Sequence, residues 1–280
     1  MTWLDSSRSW WNEQLFRLRS RAKFSRSGYR EFSSASEFAD WRSSLASDAA
    51  RELNHVERLA APLELWQNYL GLPRLQKNLA TLWTLEKVFS EGAEVHRQSL
   101  ASVRVAVDAG TQDFARLPAL QFFLGLHSSE AKFLGVELDA FPPLRNGHSR
   151  ADIARYLAQS VGNATFVAAD FFSWQEPMDF VSAFFPFVSP HPALAWGLPA
   201  RFGNARLWVA AISRNLKPGG LALVIHQGAW EEEEFDAALP YAEPKLRLLT
   251  RLELNCPFYP LPHPMRASLY ASSFHPDPVS

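Results

Sequence analysis

The rhythm of apolar and polar positions changes once along this chain, near residue 100. Before that point apolar residues recur at helical spacing. Leu72, Leu75, Leu79, Leu82 and Phe89 fall on one stripe, which predicts an amphipathic helix. Ser34 and Glu37 stand at capping-box spacing ahead of Phe38 and Trp41. Pro62 and Pro73 suit helix starts, where a missing amide hydrogen costs nothing. Beyond residue 100, short apolar runs alternate with helical segments, the signature of a mainly parallel sheet covered by helices. The runs predict strands at 103–107, 133–137, 165–169, 180–185 and 221–226, then two more at 246–254 and 266–273. Pro257, Pro260, Pro262 and Pro264 separate the last two as a stiff loop that returns the chain antiparallel. The expected division is a helical region over 1–100 and an α/β domain over 101–280.

Several of these strands end in chemistry. The first closes on Asp108-Ala109-Gly110, the second on Glu137, and the third on Asp170 followed by Phe171. An open α/β sheet presents a nucleotide-like ligand at the carboxyl ends of its strands. Gly110 lets backbone approach such a ligand and turn where a side chain would obstruct. Leu216-Lys217-Pro218-Gly219-Gly220 reads as a turn ending a helix that contains Leu207, Ala210 and Ala211. Each piece alone has a bland explanation. Asp-x-Gly is often only a turn, and an acid after a strand is often a helix cap. Their order along the chain gives them weight.

In that order, Asp108-Ala109-Gly110, Glu137, Asp170 and the Pro218-Gly219-Gly220 turn resemble the successive motifs of class I S-adenosylmethionine-dependent methyltransferases. The resemblance covers about residues 100 to 275. It implies a Rossmann-like, seven-stranded, mainly parallel sheet whose last strand is antiparallel, beside the N-terminal helical region. It also implies S-adenosylmethionine as cofactor, bound by Asp108, Gly110, Gln112, Glu137, Asp170 and Phe171. Glu137 would accept from the ribose hydroxyls, and Asp170 from the adenine amine with Phe171 as an apolar face. Asp108 would orient the loop and the amino-acid end. Two departures stand out. The family's second and third loop glycines are Gln112 and Phe114 here, and the interval from Gly110 to Glu137 exceeds the roughly 20 residues of compact nucleotide folds. A helix over 116–126, with Pro118 near its start, accommodates the excess.

Methyl transfer needs a base only when the nucleophile must lose a proton. His191 and His226, near the carboxyl ends of expected strands, are the weak candidates for that role, and the catalytic group is otherwise unknown. The segment Phe184-Phe185-Pro186-Phe187 takes the place of the polar residue followed by Pro-Pro-aromatic found in many amine-modifying relatives. It favours a small, flat or apolar acceptor. Glu231 to Glu234 read as a helix start with a solvated face.

Composition narrows the partners. The 280 residues are 47% hydrophobic and 20% charged with net charge −1, an ordinary globular balance without a general affinity for nucleic acid. Arg17, Arg19, Arg21, Lys23, Arg26 and Arg30, interleaved with Phe16, Phe24 and Tyr29, form the best local nucleic-acid signal, although a polar helical surface explains the same residues and is the preferred reading. Cys256 is the sole cysteine, so no internal disulfide forms, and no histidine spacing suggests a metal. No apolar run is long enough for a membrane span. The Arg- and Ser-rich start faintly resembles a transit peptide, but Asp5, Glu13, Trp10 and Trp11 suit a folded helix, and a cytoplasmic location is expected. Two alternatives stay open: a binding or scaffold protein that kept the fold but lost part of the glycine loop, and an RNA-directed methyltransferase using the basic segment.

Overall fold

The computed structural model describes residues 3–60, 63–92 and 94–273; the helix start expected at Pro62 lies outside them. Five helices come first: α1 (Trp3–Ala22), α2 (Ala35–Ser43), α3 (Ser47–Leu59), α4 (Leu63–Gln67) and α5 (Leu72–Lys87). Ser34 opens α2 with the anticipated capping box, its hydroxyl accepting from the amide of Glu37 while the Glu37 carboxylate accepts from the amide of Ser34. Pro73 sits in the first turn of α5. The stripe of that helix is buried at Leu75, Leu79 and Leu82, and Phe89 continues it into a π-helical turn, Val88–Gly92.

The strands follow: β1 (Val105–Ala109), β2 (Lys132–Glu137), β3 (Ala164–Ala168), β4 (Met178–Phe184), β5 (Leu216–His226), β6 (Leu246–Leu254) and β7 (Met265–Ser272). They form one seven-stranded sheet in the order β3-β2-β1-β4-β5-β7-β6. β1 to β5 run parallel, and β7 inserts antiparallel between β5 and β6. This is the class I methyltransferase sheet that the motif order implied. Between the strands lie α6 (Leu117–Gly125), α7 (Arg150–Val161), α8 (Pro190–Ala195), α9 (Ala205–Asn215) and α10 (Ala229–Ala238). Strand order reverses between β1 and β4, which leaves a crevice at their carboxyl ends.

Two apolar layers cover the sheet. On one face, Leu75, Leu79 and Phe89 share a continuous core with Phe123, Phe133, Phe180 and Leu223, so the helices before residue 100 pack directly on the sheet. On the other, Val107, Val136 and Val181 pack with Trp208, Ile212 and Phe235. No helix among the described residues is long and apolar enough to cross a membrane.

Two expectations need correction. Leu216 to Gly220 is not a turn outside the sheet but the first part of β5. Register shifts between the Met178–Leu216 and Phe180–Leu221 pairs, and Gly219 takes φ +76°, so the extra residues are absorbed as an irregularity within the ladder. Glu231 and Glu232 are buried while only Glu233 and Glu234 face solvent. Glu231 accepts from the amide of Gln227 at 2.7 Å, closing the start of α10. Glu232 accepts from the hydroxyl of Ser268 at 3.0 Å and pairs with Arg251 at 2.9 Å. The helix dipole favours acids in a first turn whichever way they face, so the charge run alone did not reveal burial.

Candidate active site

The crevice between β1 and β4 opens into a cleft of about 620 Å³, counting the space at its mouth. Its floor is Ala109, Gly110 and Gln112 after β1, with Val136, Glu137 and Leu138 after β2. Asp170, Phe171 and Phe172 form one wall, and Phe184 to Phe187 the opposite one. Five of the six expected cofactor residues therefore meet in one cavity: Gly110, Gln112, Glu137, Asp170 and Phe171. Asp108 does not reach it. Its buried carboxylate accepts from the hydroxyls of Ser182 (2.9 Å) and Thr111, tying the loop to β4 from beneath. Burial pushes this acid above the usual carboxylate range, and Arg116, Thr111 and Ser182 oppose that rise.

The altered glycine loop keeps a glycine-like backbone. Gly110, Gln112 and Phe114 have φ of +67°, +61° and +62°. An L side chain in that region costs roughly 1 kcal/mol per residue, so the strain at Gln112 and Phe114 must be offset by other contacts. At Gln112 the backbone amide donates to Glu137 Oε2 at 2.7 Å. At Phe114 the ring turns away from the cleft and lies over Gly135 of β2, where a Cβ would approach ring atoms to 2.8 Å. Neither side chain plugs the cleft. Gln112 lines it and Phe114 belongs to the core.

Glu137 is the best-organised group. Oε1 accepts from the amide of Asp139 at 2.8 Å and Oε2 from that of Gln112. An ionised carboxylate offers about four lone-pair sites, so each oxygen keeps capacity for another donor. Burial raises its pKa, against the lowering influence of Arg150 and the two amides. Asp170 caps the turn Phe171–Ser173, its Oδ1 accepting from the amide of Phe172 at 2.9 Å. Burial raises this acid too, opposed by that amide.

The sequence did not reveal the rest of the lining. Trp208 stands beside Gly110, where a Cβ would lie 3.4 Å from its ring, and its buried indole N–H has no partner. Trp196, Leu198 and Phe202 close the rim. They are held by α1: the Asn12 side-chain amide donates to Leu198 O at 2.9 Å and Leu194 O at 3.2 Å, and Phe16 meets Phe202 edge-on. Aromatic density between 184 and 208 was the available signal. The basic segment is partly spent on the same scaffold, with Arg19 paired to Asp139 at 3.2 Å and Arg17 to Glu13 at 2.7 Å.

Neither candidate histidine lines the cleft. His191 is exposed on α8. His226 is buried at the end of β5 against Phe235, with both ring nitrogens unpartnered, and burial followed by Arg251 depresses its pKa to about 3. Among the described residues no cluster of potential metal ligands occurs.

No family model matches the sequence, and no curated protein matches it. Similar solved structures include TrmN from Thermus thermophilus, at 16% identity over 64% of this chain and 48% of that one, with TM-score 0.45. The present chain thus spans about half the length of that relative. The N-methyltransferase NodS from Bradyrhizobium japonicum WM9 is similar at 11% identity over 72% of this chain and 98% of that one, TM-score 0.44. A putative RNA methyltransferase from Pyrococcus horikoshii is similar at 13% identity over 83% and 100%, TM-score 0.47. At these identities the likeness is one of architecture alone.

Proposed function

We propose that the chain is an S-adenosylmethionine-dependent methyltransferase acting on a small acceptor, with residues 1–100 capping the cleft of the α/β domain. One observation carries this reading: Glu137 faces an open aromatic cleft with lone pairs to spare, beside a loop that keeps left-handed backbone at every expected glycine position. The donor set fits a sulfonium nucleoside. Glu137 would accept from the ribose hydroxyls and Asp170 from an exocyclic amine, with the Phe171 face against the base. The Gln112 side chain and the unpartnered Trp208 N–H are donors for the amino-acid end. Aromatic faces also tolerate a cation.

The cofactor, when bound, supplies a methyl group already attached to a good leaving group. The chain's own residues then have to align the acceptor and exclude water. Phe184, Phe185, Phe187, Trp196 and Phe202 provide a largely apolar enclosure for that purpose. The cleft lining contains no histidine, cysteine or lysine, and this reading assigns its two carboxylates, Glu137 and Asp170, to the cofactor, so it suits a nucleophile that needs no protein base. This enclosure favours a small molecule over RNA as acceptor, and Arg19 of the basic segment is held in the fold by the buried Asp139.

Calorimetry with S-adenosylmethionine and S-adenosylhomocysteine tests the proposal. Binding is expected, and Glu137→Ala should weaken it by about 1–3 kcal/mol through the lost ribose hydrogen bonds. Absence of binding by the folded wild-type protein would favour the scaffold alternative. An unchanged affinity in the variant would remove Glu137 from the site.

A further inference from the structure

A second hollow, of about 290 Å³ counting its open side, lies behind the Phe184–Phe185 wall of the cleft. It is bounded by α5, by the start of α6, and by the loop between β6 and β7, which contributes Tyr259. Because both hollows share Phe184 and Phe185, a ligand here would stand next to the cleft at the end of β4.

Two cations line this space, Lys77 of α5 and Arg116 at the start of α6. Arg116 is buried, with 6% of its surface exposed, and lies on the rings of Phe184 (4.4 Å) and Phe185 (5.6 Å). Among the described residues no carboxylate comes within ion-pair distance of either cation. The acids whose charge reaches them are engaged elsewhere: Asp108 with Thr111 and Ser182, and Asp113 with Arg74 at 2.8 Å. Charged groups are rarely buried without a partner, and two neighbouring cations repel each other in a low-dielectric setting. Lys77 shows the consequence. Burial, then the charge of Arg116, lowers its pKa to about 8, with Asp113 pulling the other way and Arg74 adding to the fall.

We propose that this hollow binds a carboxylate or phosphate borne by the methyl acceptor, held between Lys77 and Arg116, while the acceptor's apolar body rests on Phe184 and Phe185. The inference rests on the methyltransferase reading and deepens it: the acceptor is a small organic anion. Arg116 supplies a planar fork suited to either anion, and Lys77 a mobile point charge.

The test uses the full chain with benzoate, phenyl phosphate and the neutral benzamide, with and without S-adenosylhomocysteine, followed by ligand-observed NMR titration. At least one of the anions should bind about tenfold or more tightly than benzamide, as expected for a charge-assisted hydrogen bond. Lys77→Met, which keeps the apolar stem, should cut that preference severalfold, Arg116 remaining in place, while leaving benzamide and S-adenosylhomocysteine affinities unchanged. Lys77→Gln repeats the test should the methionine variant unfold. Equal binding of benzamide and the anions, no anion binding, or an anion preference undiminished by both substitutions would overturn the inference. Nucleoside binding without anion preference would refute the hollow and spare the methyltransferase reading. Anion preference diminished in the Lys77 variants, without nucleoside binding, would do the reverse.

Discussion

At the scale of single residues, the fold balances strain at one position with space at another. Phe114 holds a left-handed backbone, and its ring fits only because Gly135 of the neighbouring strand has no side chain. Gly135→Ala forces a methyl into the ring and should cost about 1–3 kcal/mol in urea unfolding. In a Phe114→Ala background the same change should cost much less, and a double-mutant cycle reads the difference as coupling. His226 gives a different signature. Its folded pKa of about 3 lies below the ordinary 6.5, so the unfolded chain binds the extra proton first. Stability from this group is therefore intact above pH 6.5 and lost as pH falls toward 3. At pH 5 the loss amounts to about 2 kcal/mol. His226→Leu should flatten that part of the stability–pH profile, and a slope unchanged from wild type would show that the imidazole is not the cause.

At the scale of elements, α1 is the clasp of the cleft. Its Asn12 bonds to two carbonyls of the α8 segment, and its Phe16 packs against Phe202. Asn12→Ala leaves those carbonyls without the donor and should cost about 1–3 kcal/mol locally. Faster amide exchange confined to 190–203 is the expected readout, accompanied by weaker nucleoside binding if the rim encloses the ligand. β5 makes a related point. A Cβ at Gly220 would meet the carbonyl oxygens of Asp179 and Lys217 at 2.9 Å, so the irregular start of that strand depends on a bare backbone.

At the scale of the whole molecule, the helices before residue 100 and the sheet share one apolar layer. Removing residues 1–100 would expose Phe123 and Phe133, along with other apolar surface of that layer. The 101–280 fragment is therefore expected to lack a cooperative thermal transition, whereas the full chain should show one. A nucleoside that binds only the folded state should raise the full chain's unfolding temperature by a few degrees at about 100 times its Kd.

Much of this architecture was legible along the chain because its causes are local. Strand period and helical stripe follow from neighbours two to four positions apart, so the alternation beyond residue 100 and the capping box at Ser34 could be read directly. Acids at the ends of β2 and β3 were visible for the same reason, since a strand's end marks where its side chains meet a ligand or solvent. Tertiary structure alone decided what depends on residues distant in sequence. It set the left-handed backbone at Gln112 and Phe114 against Glu137 and Gly135, and it buried Glu231 and Glu232 on the inner side of α10 and His226 against Phe235 of that helix. It also brought Lys77 of a helix before the sheet beside Arg116 behind the Phe184–Phe185 wall. Burial and charge proximity are properties of packed surfaces, and no window along the sequence contains both partners.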